Sequence, residues 1–245
     1  GPDLVASGVG KVVWSPNTAA TWIDSAGIST DYSDRFILSD MNKTGSTVLA
    51  AFGARGGGTP GINNKVYKST DKGQNFSLVT TLTPTKGEVT DLTVCKDNEN
   101  IAFITTKGTL ATPATVFRTT DGGSNWTEAT TPPNLALGKT IYRVAATGDG
   151  SVVYLACRSG RMFKSIDTGD TWTEINQSLV GVNIRALAVS RDGGMVAFGA
   201  QNGDYIRSYD GGISFTLTPS ITSKINGFVL NGASNLMYIL GEDGV

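Results

Sequence analysis

Thr119-Thr-Asp121-Gly-Gly123-Ser-Asn-Trp126 recurs along the chain as Ser69-Thr-Asp71-Lys-Gly73-Gln-Asn-Phe76, Ser165-Ile-Asp167-Thr-Gly169-Asp-Thr-Trp172 and Ser208-Tyr-Asp210-Gly-Gly212-Ile-Ser-Phe215. A worn copy, Ser15-Pro-Asn17-Thr-Ala19-Ala-Thr-Trp22, stands near the start. The four aspartates are 50, 46 and 43 residues apart. Self-similarity at a period of roughly 20 to 50 residues marks a solenoid or a propeller.

Each good copy follows a short apolar run, such as Val116-Phe117-Arg118 or Met162-Phe163-Lys164, and its closing aromatic opens another. That is the pattern of a hairpin. The Asp carboxylate can accept N–H bonds from the turn, and the Gly two residues on can take the positive φ such a turn requires. The aromatic ring is then free to bury itself between neighbouring sheets, and the Ser or Thr hydroxyl closes the loop locally. The device predicts a turn rather than a catalyst.

These octapeptides resemble the Asp-box, or bacterial neuraminidase repeat, S-x-D-x-G-x-x-[WF], of sialidases, xyloglucan-active glycosidases, sortilin-type receptors and photosystem II assembly factors. Four good copies and a worn one spread the resemblance over the whole chain. It implies a β-propeller whose boxes lie on the face away from any active site. On that reading Asp71, Asp121, Asp167 and Asp210, with Phe76, Trp126, Trp172 and Phe215, are structural.

Two further strand-like runs precede each hairpin, for example Asp91–Cys95 with Ile101–Ile104, and Arg143–Ala146 with Val152–Leu155. The predicted unit therefore has four antiparallel strands. Residues 225–230 and 236–239 supply a first and second strand with no hairpin after them, while residues 11–14 and 21–23 supply a third and fourth. The predicted fold is an all-β, five-bladed propeller forming one domain over residues 1–245. Its closing blade combines residues 225–245 with residues 10–24. Five blades depart from the six of sialidases and the seven of the assembly factors. Radial closure would protect strand edges from unwanted pairing.

Charged residues make up 17% of the chain and the net charge is −1, so the basic footprint of a nucleic-acid binder is missing. No apolar run reaches the length of about 18 residues that reads as a membrane span, so membrane insertion is not expected. Histidine is absent, which excludes His-based general base chemistry and His metal sites. No metal or cofactor is expected. Cys95 and Cys157 are expected to be free thiols near opposite faces of the disk. Gly1-Pro2 reads as a protease-cleavage scar.

In a propeller the first strands line the channel, and their starts open on the face away from the boxes. The candidate ligand-binding residues there are Asp34, Arg35, Asp91, Arg143, Arg185 and Asn226, with Tyr32, Glu88 and Tyr142 beside them. Arg forks and carboxylates could grip a polar ligand. Asp34 with Glu88 or Asp91 is the one carboxylate pairing that could serve glycoside hydrolysis. The sialidase signature Arg-Ile-Pro is absent, because Arg35 is followed by Phe-Ile-Leu. No catalytic residue is therefore assigned. The long loops over residues 53–64 and 105–115 are expected beside this mouth. Lys68, Arg118, Lys164 and Arg207, each just before a box, read as a solvated row that discourages edge pairing.

The resulting expectation is a non-catalytic recognition or structural module that binds a protein or a glycan. The low-charge surface rich in Gly, Ser, Thr and Asn favours an extracellular or virion-surface setting, such as a phage tail fibre or tail-associated protein. A glycoside hydrolase and a protein-binding assembly factor are the alternatives.

Overall fold

The computed structural model describes residues 4–8, 10–17, 19–28, 36–53, 64–82, 87–132, 135, 140–158, 160–175, 182–218, 223–231 and 236–242. Among these residues all regular structure is β. Unit 1 is a three-stranded sheet of β1 (Leu4–Ser7), β2 (Val12–Ser15) and β3 (Ile23–Asp24). Unit 2 comprises β4 (Phe36–Met41), β5 (Val48–Gly53), β6 (Lys65–Ser69) and β7 (Ser77–Thr81). Unit 3 comprises β8 (Val89–Val94), β9 (Ala102–Thr106), β10 (Val116–Thr119) and β11 (Thr127–Glu128). Unit 4 comprises β12 (Ile141–Ala146), β13 (Val153–Cys157), β14 (Met162–Ser165) and β15 (Thr173–Ile175). Unit 5 comprises β16 (Ile184–Val189), β17 (Val196–Ala200), β18 (Tyr205–Ser208) and β19 (Thr216–Thr218). Unit 6 has only β20 (Ile225–Asn231) and β21 (Leu236–Gly241).

Units 2 to 5 are antiparallel four-stranded blades, as the repeat predicts, and one parallel bridge between Gly53 and Val89 links units 2 and 3. The second strands β9, β13 and β17 are buried along their whole length. That is why Ala-Phe-Ile, Val-Tyr-Leu-Ala-Cys and Val-Ala-Phe-Gly-Ala read as continuous apolar runs rather than alternating ones. Each hydrophobic cluster straddles one seam between consecutive units. Val12 meets Ile37, Phe52 and Tyr67 across the first seam. Leu49 and Val66 meet Leu92 and Ile104 across the second, and Phe103 and Val116 meet Ile141 and Phe163 across the third. Tyr154 and Met162 meet Phe198 and Ile206 across the fourth, and Ala186 and Tyr205 meet Ile225 across the fifth. The stacking of blade on blade is the core.

The expected closing blade is not what the structure contains. Among the described residues, 225–241 and 12–24 lie in separate sheets, six units follow one another, and no sheet joins the first unit to the last. The cause is a strand the sequence reading missed. β1 pairs with β2 from Leu4↔Ser15 to Ser7↔Val12 and fills the edge that β21 was expected to take. Val5 of β1 also packs against the first seam, which ties the strand in place.

Candidate binding site at the blade mouths

The two ends of a blade are built differently, and the box end comes first because it fixes the frame. In unit 3 the Thr119 hydroxyl donates to Asp121 Oδ1 (2.8 Å), Gly123 N–H donates to Thr119 Oγ1 (2.9 Å), and Asn125 N–H donates to Asp121 Oδ1 (2.8 Å). Ser165, Asp167, Gly169 and Thr171 repeat these bonds at 2.7, 2.8 and 2.8 Å, and Ser208 and Asp210 repeat them in unit 5. Even the worn box keeps them: Ser15 donates to Asn17 Oδ1, Ala19 N–H to Ser15 Oγ and Thr21 N–H to Asn17 Oδ1. An amide oxygen replaces the carboxylate as acceptor, and Ala19 takes φ 70° where the other boxes place Gly.

These bonds hold the carboxylates ionised. The Asn125 N–H and side chain push the Asp121 pKa down to about 2, and the Thr171 hydroxyl and N–H do the same for Asp167. The box aromatics close the seam with the preceding unit. Trp172 packs in the cluster with Phe103 and Ala129 of unit 3, and Phe76 joins Val12 of unit 1. The boxes are thus structural in geometry.

The basic row before the boxes is not simply solvated, as the sequence suggested. Arg118 donates to the Thr168 carbonyl in the box of the next unit (2.8 Å) and pairs there with Asp170. Lys164 likewise donates to the Gly211 carbonyl (2.6 Å). These two side chains reach across a seam because the third strand ends beside the following box. At Arg118 and Lys164 the row is therefore a blade-to-blade link, whereas the Arg207 guanidinium lies 5.5 Å from the centre of the Tyr209 ring in its own unit.

At the opposite end, four of the first strands carry a register shift at one equivalent place: Val89/Asp91, Ile141/Arg143, Ile184/Ala186 and Ile225/Gly227. The residues left out of pairing are Thr90, Tyr142, Arg185 and Asn226. A bulge of this kind re-aims a side chain. The residue just past each second strand returns to the same end, where its N–H donates to the first-strand side: Lys107 to Glu88, Arg158 to Thr140, Gln201 to Asn183 and Glu242 to Lys224. Bulge residue and strand-end residue together form the mouth.

Between units 4 and 5 this construction gives an open cavity of about 260 Å³ lined by Tyr142, Arg158, Asn183, Ile184, Arg185 and Gln201. The Arg143 guanidinium lies 4.8 Å from the centre of the Tyr142 ring and that of Arg185 6.0 Å from it. Arg143 also donates to the Tyr142 carbonyl (3.0 Å). Among the described residues none of Arg143, Arg158 and Arg185 forms a salt bridge with a carboxylate. Two guanidiniums beside one aromatic ring, with Arg158 lining the same cavity, make a site suited to a planar anion.

Of the residues proposed from sequence, Arg143 and Arg185 lie beside the same Tyr142 ring. Asp91 is turned into the seam instead, where Val144 N–H donates to its Oδ2 (2.9 Å). Desolvation pushes its pKa up to about 6, against the opposing pull of Arg143 and of that N–H. Asn226 is exposed on the next unit and is not among the residues lining the cavity. Asp34, Arg35 and Tyr32 lie outside the described residues, as does most of the loop over residues 53–64. Arg158 and Gln201 were missed. The signal was available, because an antiparallel second strand ends where the first begins. Cys95 and Cys157 are free and buried, with both thiol pKa values pushed up to about 12 by burial. No group of three or more acidic or thiol ligands that could hold a metal occurs among the described residues.

The fold recurs in solved structures of low identity. YCF48 bound to a D1 peptide aligns over 99% of this chain and 86% of its own, with 16% identity and a TM-score of 0.50. YCF48 from Cyanidioschyzon merolae aligns over 96% and 87%, with 17% identity and a TM-score of 0.51. An ancestral GH74 enzyme aligns over 87% of this chain but 29% of its own, with 17% identity and a TM-score of 0.62. These likenesses establish a β-propeller-type fold. No curated protein matches the sequence. The sequence does match the family Sortilin-Vps10 (sortilin, neurotensin receptor 3) over residues 64–205, from the start of β6 in unit 2 to β18 in unit 5. That stretch is more than half of the chain, and the chain belongs to the Sortilin-Vps10 family.

Proposed function

We infer that this chain is a non-catalytic recognition module that holds an anionic segment of a protein partner at the mouth between units 4 and 5. The observation that carries this reading is the Tyr142 ring with the Arg143 and Arg185 guanidiniums beside it and Arg158 lining the same cavity, none of the three in a salt bridge among the described residues. A guanidinium presents a fork of donors to a carboxylate, and the Tyr142 ring offers an apolar face beside it. A peptide is the first ligand class to try, since YCF48 has been seen with one bound. The test is a titration of acidic and neutral peptides of equal length by calorimetry. Acidic peptides should bind, and Arg158→Ala and Arg185→Ala should each weaken binding at least tenfold. Equal affinity for neutral peptides, or binding unchanged in both variants, would move the site elsewhere.

A second reading, glycoside hydrolysis, draws on two observations: the likeness to a GH74 enzyme and the raised pKa of Asp91, a property that suits a general acid. The orientation of Asp91 toward Val144 N–H counts against it. Release of reducing sugar from β-glucans or sialosides by the wild type, and its loss in Asp91→Asn, would establish that reading instead.

A further inference from the structure

The loop between β9 and β10 of unit 3 stands at the mouth end of the blades, and its Leu110, at 93%, is the most exposed large apolar side chain among the described residues. A single exposed leucine is ordinary on a protein surface. This one sits on a braced turn. Thr109 N–H donates to the Thr112 carbonyl (2.8 Å), and Thr109 Oγ1 accepts from Thr112 N–H (2.9 Å) and Ala111 N–H (3.2 Å). The two threonine hydroxyls lie 2.8 Å apart. The base of the loop is fixed as well: Thr106 N–H donates to the Thr115 carbonyl (2.9 Å), and Thr115 N–H donates back to Thr106 Oγ1 (3.1 Å). Gly87 approaches this base so closely that a Cβ there would stand 2.0 Å from the Lys107 carbonyl oxygen. Leu110 is thus held out in solvent on a backbone with little freedom left to lose on binding.

The loop is continuous with the mouth. Lys107 bridges to Thr140 of unit 4, and Arg158 N–H donates to the Thr140 carbonyl (3.0 Å). Adjacent strands lie about 5 Å apart, so Lys107 and Arg158 are about 10 Å apart across Thr140. Both side chains are exposed, and among the described residues neither forms a salt bridge. Arg158 lines the cavity beside Tyr142 and Arg185. Leu110 follows Lys107 closely enough in the chain to lie at most about 10 Å from it. The row from the apolar tip, past two cations, to the cavity therefore spans no more than about 20 Å, the length of about six extended residues.

We propose that this loop belongs to the same recognition surface, with Leu110 meeting an apolar side chain of the bound segment and Lys107 a second acidic one. Given the mouth as an acidic-peptide site, on which this rests, the partner narrows to a segment with a carboxylate for the cavity and an apolar side chain within about six residues of it. A row of cations alone accepts any acidic segment. An apolar contact at a fixed distance from that row separates one acidic segment from another.

Calorimetry with paired peptides tests this. Each peptide carries two Glu, and a Phe or, in its counterpart, a Ser is placed at each spacing up to about seven residues from them. The wild type should prefer the Phe peptide about fivefold to twentyfold at the best spacing. Leu110→Ser should bring that ratio close to one, whereas Leu110→Met, which keeps an apolar chain, should retain most of it; thermal melting checks that both variants are folded. Lys107→Ala should weaken both members of a pair alike, since it removes charge and leaves the apolar contact. Equal affinity for Phe and Ser peptides at every spacing, with Arg185→Ala still weakening both, would overturn the part given to the loop and leave the mouth standing. A Phe preference that persists in Leu110→Ser would do the same. If no peptide binds the wild type, or Arg185→Ala binds every peptide as the wild type does, the mouth itself fails as a site, and the role of Leu110 with it.

Discussion

At the box end of the blades the same hydrogen bonds recur in every turn, with the Ser or Thr hydroxyl 2.6 to 2.8 Å from its aspartate in the four good copies. At the mouth end, equivalent positions carry Thr90 with Lys107, Tyr142 with Arg158, Arg185 with Gln201, and Asn226 with Glu242. The backbone frame there is as regular as at the boxes, since each strand-end N–H donates to its first-strand partner in the same way. Only the side chains differ. A turn whose bonds demand particular side chains admits few residues, whereas the bulge frame carries Thr, Tyr, Arg and Asn at equivalent places. Repetition therefore marks what holds the molecule together, and variation on a repeated frame marks the end at which we propose recognition.

The sharpest way to break this contrast is to damage a box. Trp172 is 8% exposed in the seam between units 3 and 4, so Trp172→Ala should cost about 3 to 5 kcal/mol in chemical denaturation. Ser165→Ala should cost about 1 to 3 kcal/mol, because it leaves Gly169 N–H without its buried acceptor. Neither should alter peptide affinity in the folded protein. A box substitution that abolished binding at unchanged stability would place recognition at the wrong end of the blade.

The pH dependence of stability sharpens the same contrast. Asp121 and Asp167, held near pKa 2 against an ordinary 3.8, contribute stability that is present above about pH 4 and lost as pH falls toward 2. Asp91 runs the other way. With a folded pKa of about 6 it binds more protons in the folded than in the unfolded chain between about pH 4 and 6, so its contribution to stability falls as pH rises through that window. Melting temperatures between pH 4 and 7 should therefore decline with rising pH in the wild type, and less steeply in Asp91→Asn. An unchanged slope in that variant would remove Asp91 as the cause.

The smallest effect is expected at Thr168, a β-branched residue at φ 57°. Relief of the left-handed strain, about 1 to 2 kcal/mol, is partly offset by the entropy glycine loses on folding. Thr168→Gly should thus stabilise by several tenths of a kcal/mol, since Gly122 and Gly211 already occupy that place in two other boxes. Destabilisation would show that the threonine side chain holds the turn in some other way.

The sequence made the boxes readable because each bond demands a particular side chain at a particular spacing. It hid β1, since Leu-Val-Ala-Ser is four residues long and carries no turn chemistry that would announce a strand, and with it the reason the ends do not share a sheet. The basic row was visible as a period, but a period has no direction, and only the seams show Arg118 and Lys164 reaching the next box. At the mouth the bulges left no trace in composition. Ile184-Arg-Ala186 reads as ordinary alternation, so Arg185 was found by its position at a strand start while Arg158, on the return strand, was not. Asp91 was assigned to the open mouth because alternation gives a face, not the rotation that turns its carboxyl into the seam.

The most direct test compares two variants in two measurements: thermal melting, and the affinity for one acidic peptide, of Ser165→Ala and Arg185→Ala side by side. A lower melting temperature with unchanged affinity for Ser165→Ala, and an unchanged melting temperature with at least tenfold weaker binding for Arg185→Ala, is the predicted outcome. If Arg185→Ala instead melts early and binds as the wild type does, the mouth is part of the scaffold and recognition lies elsewhere.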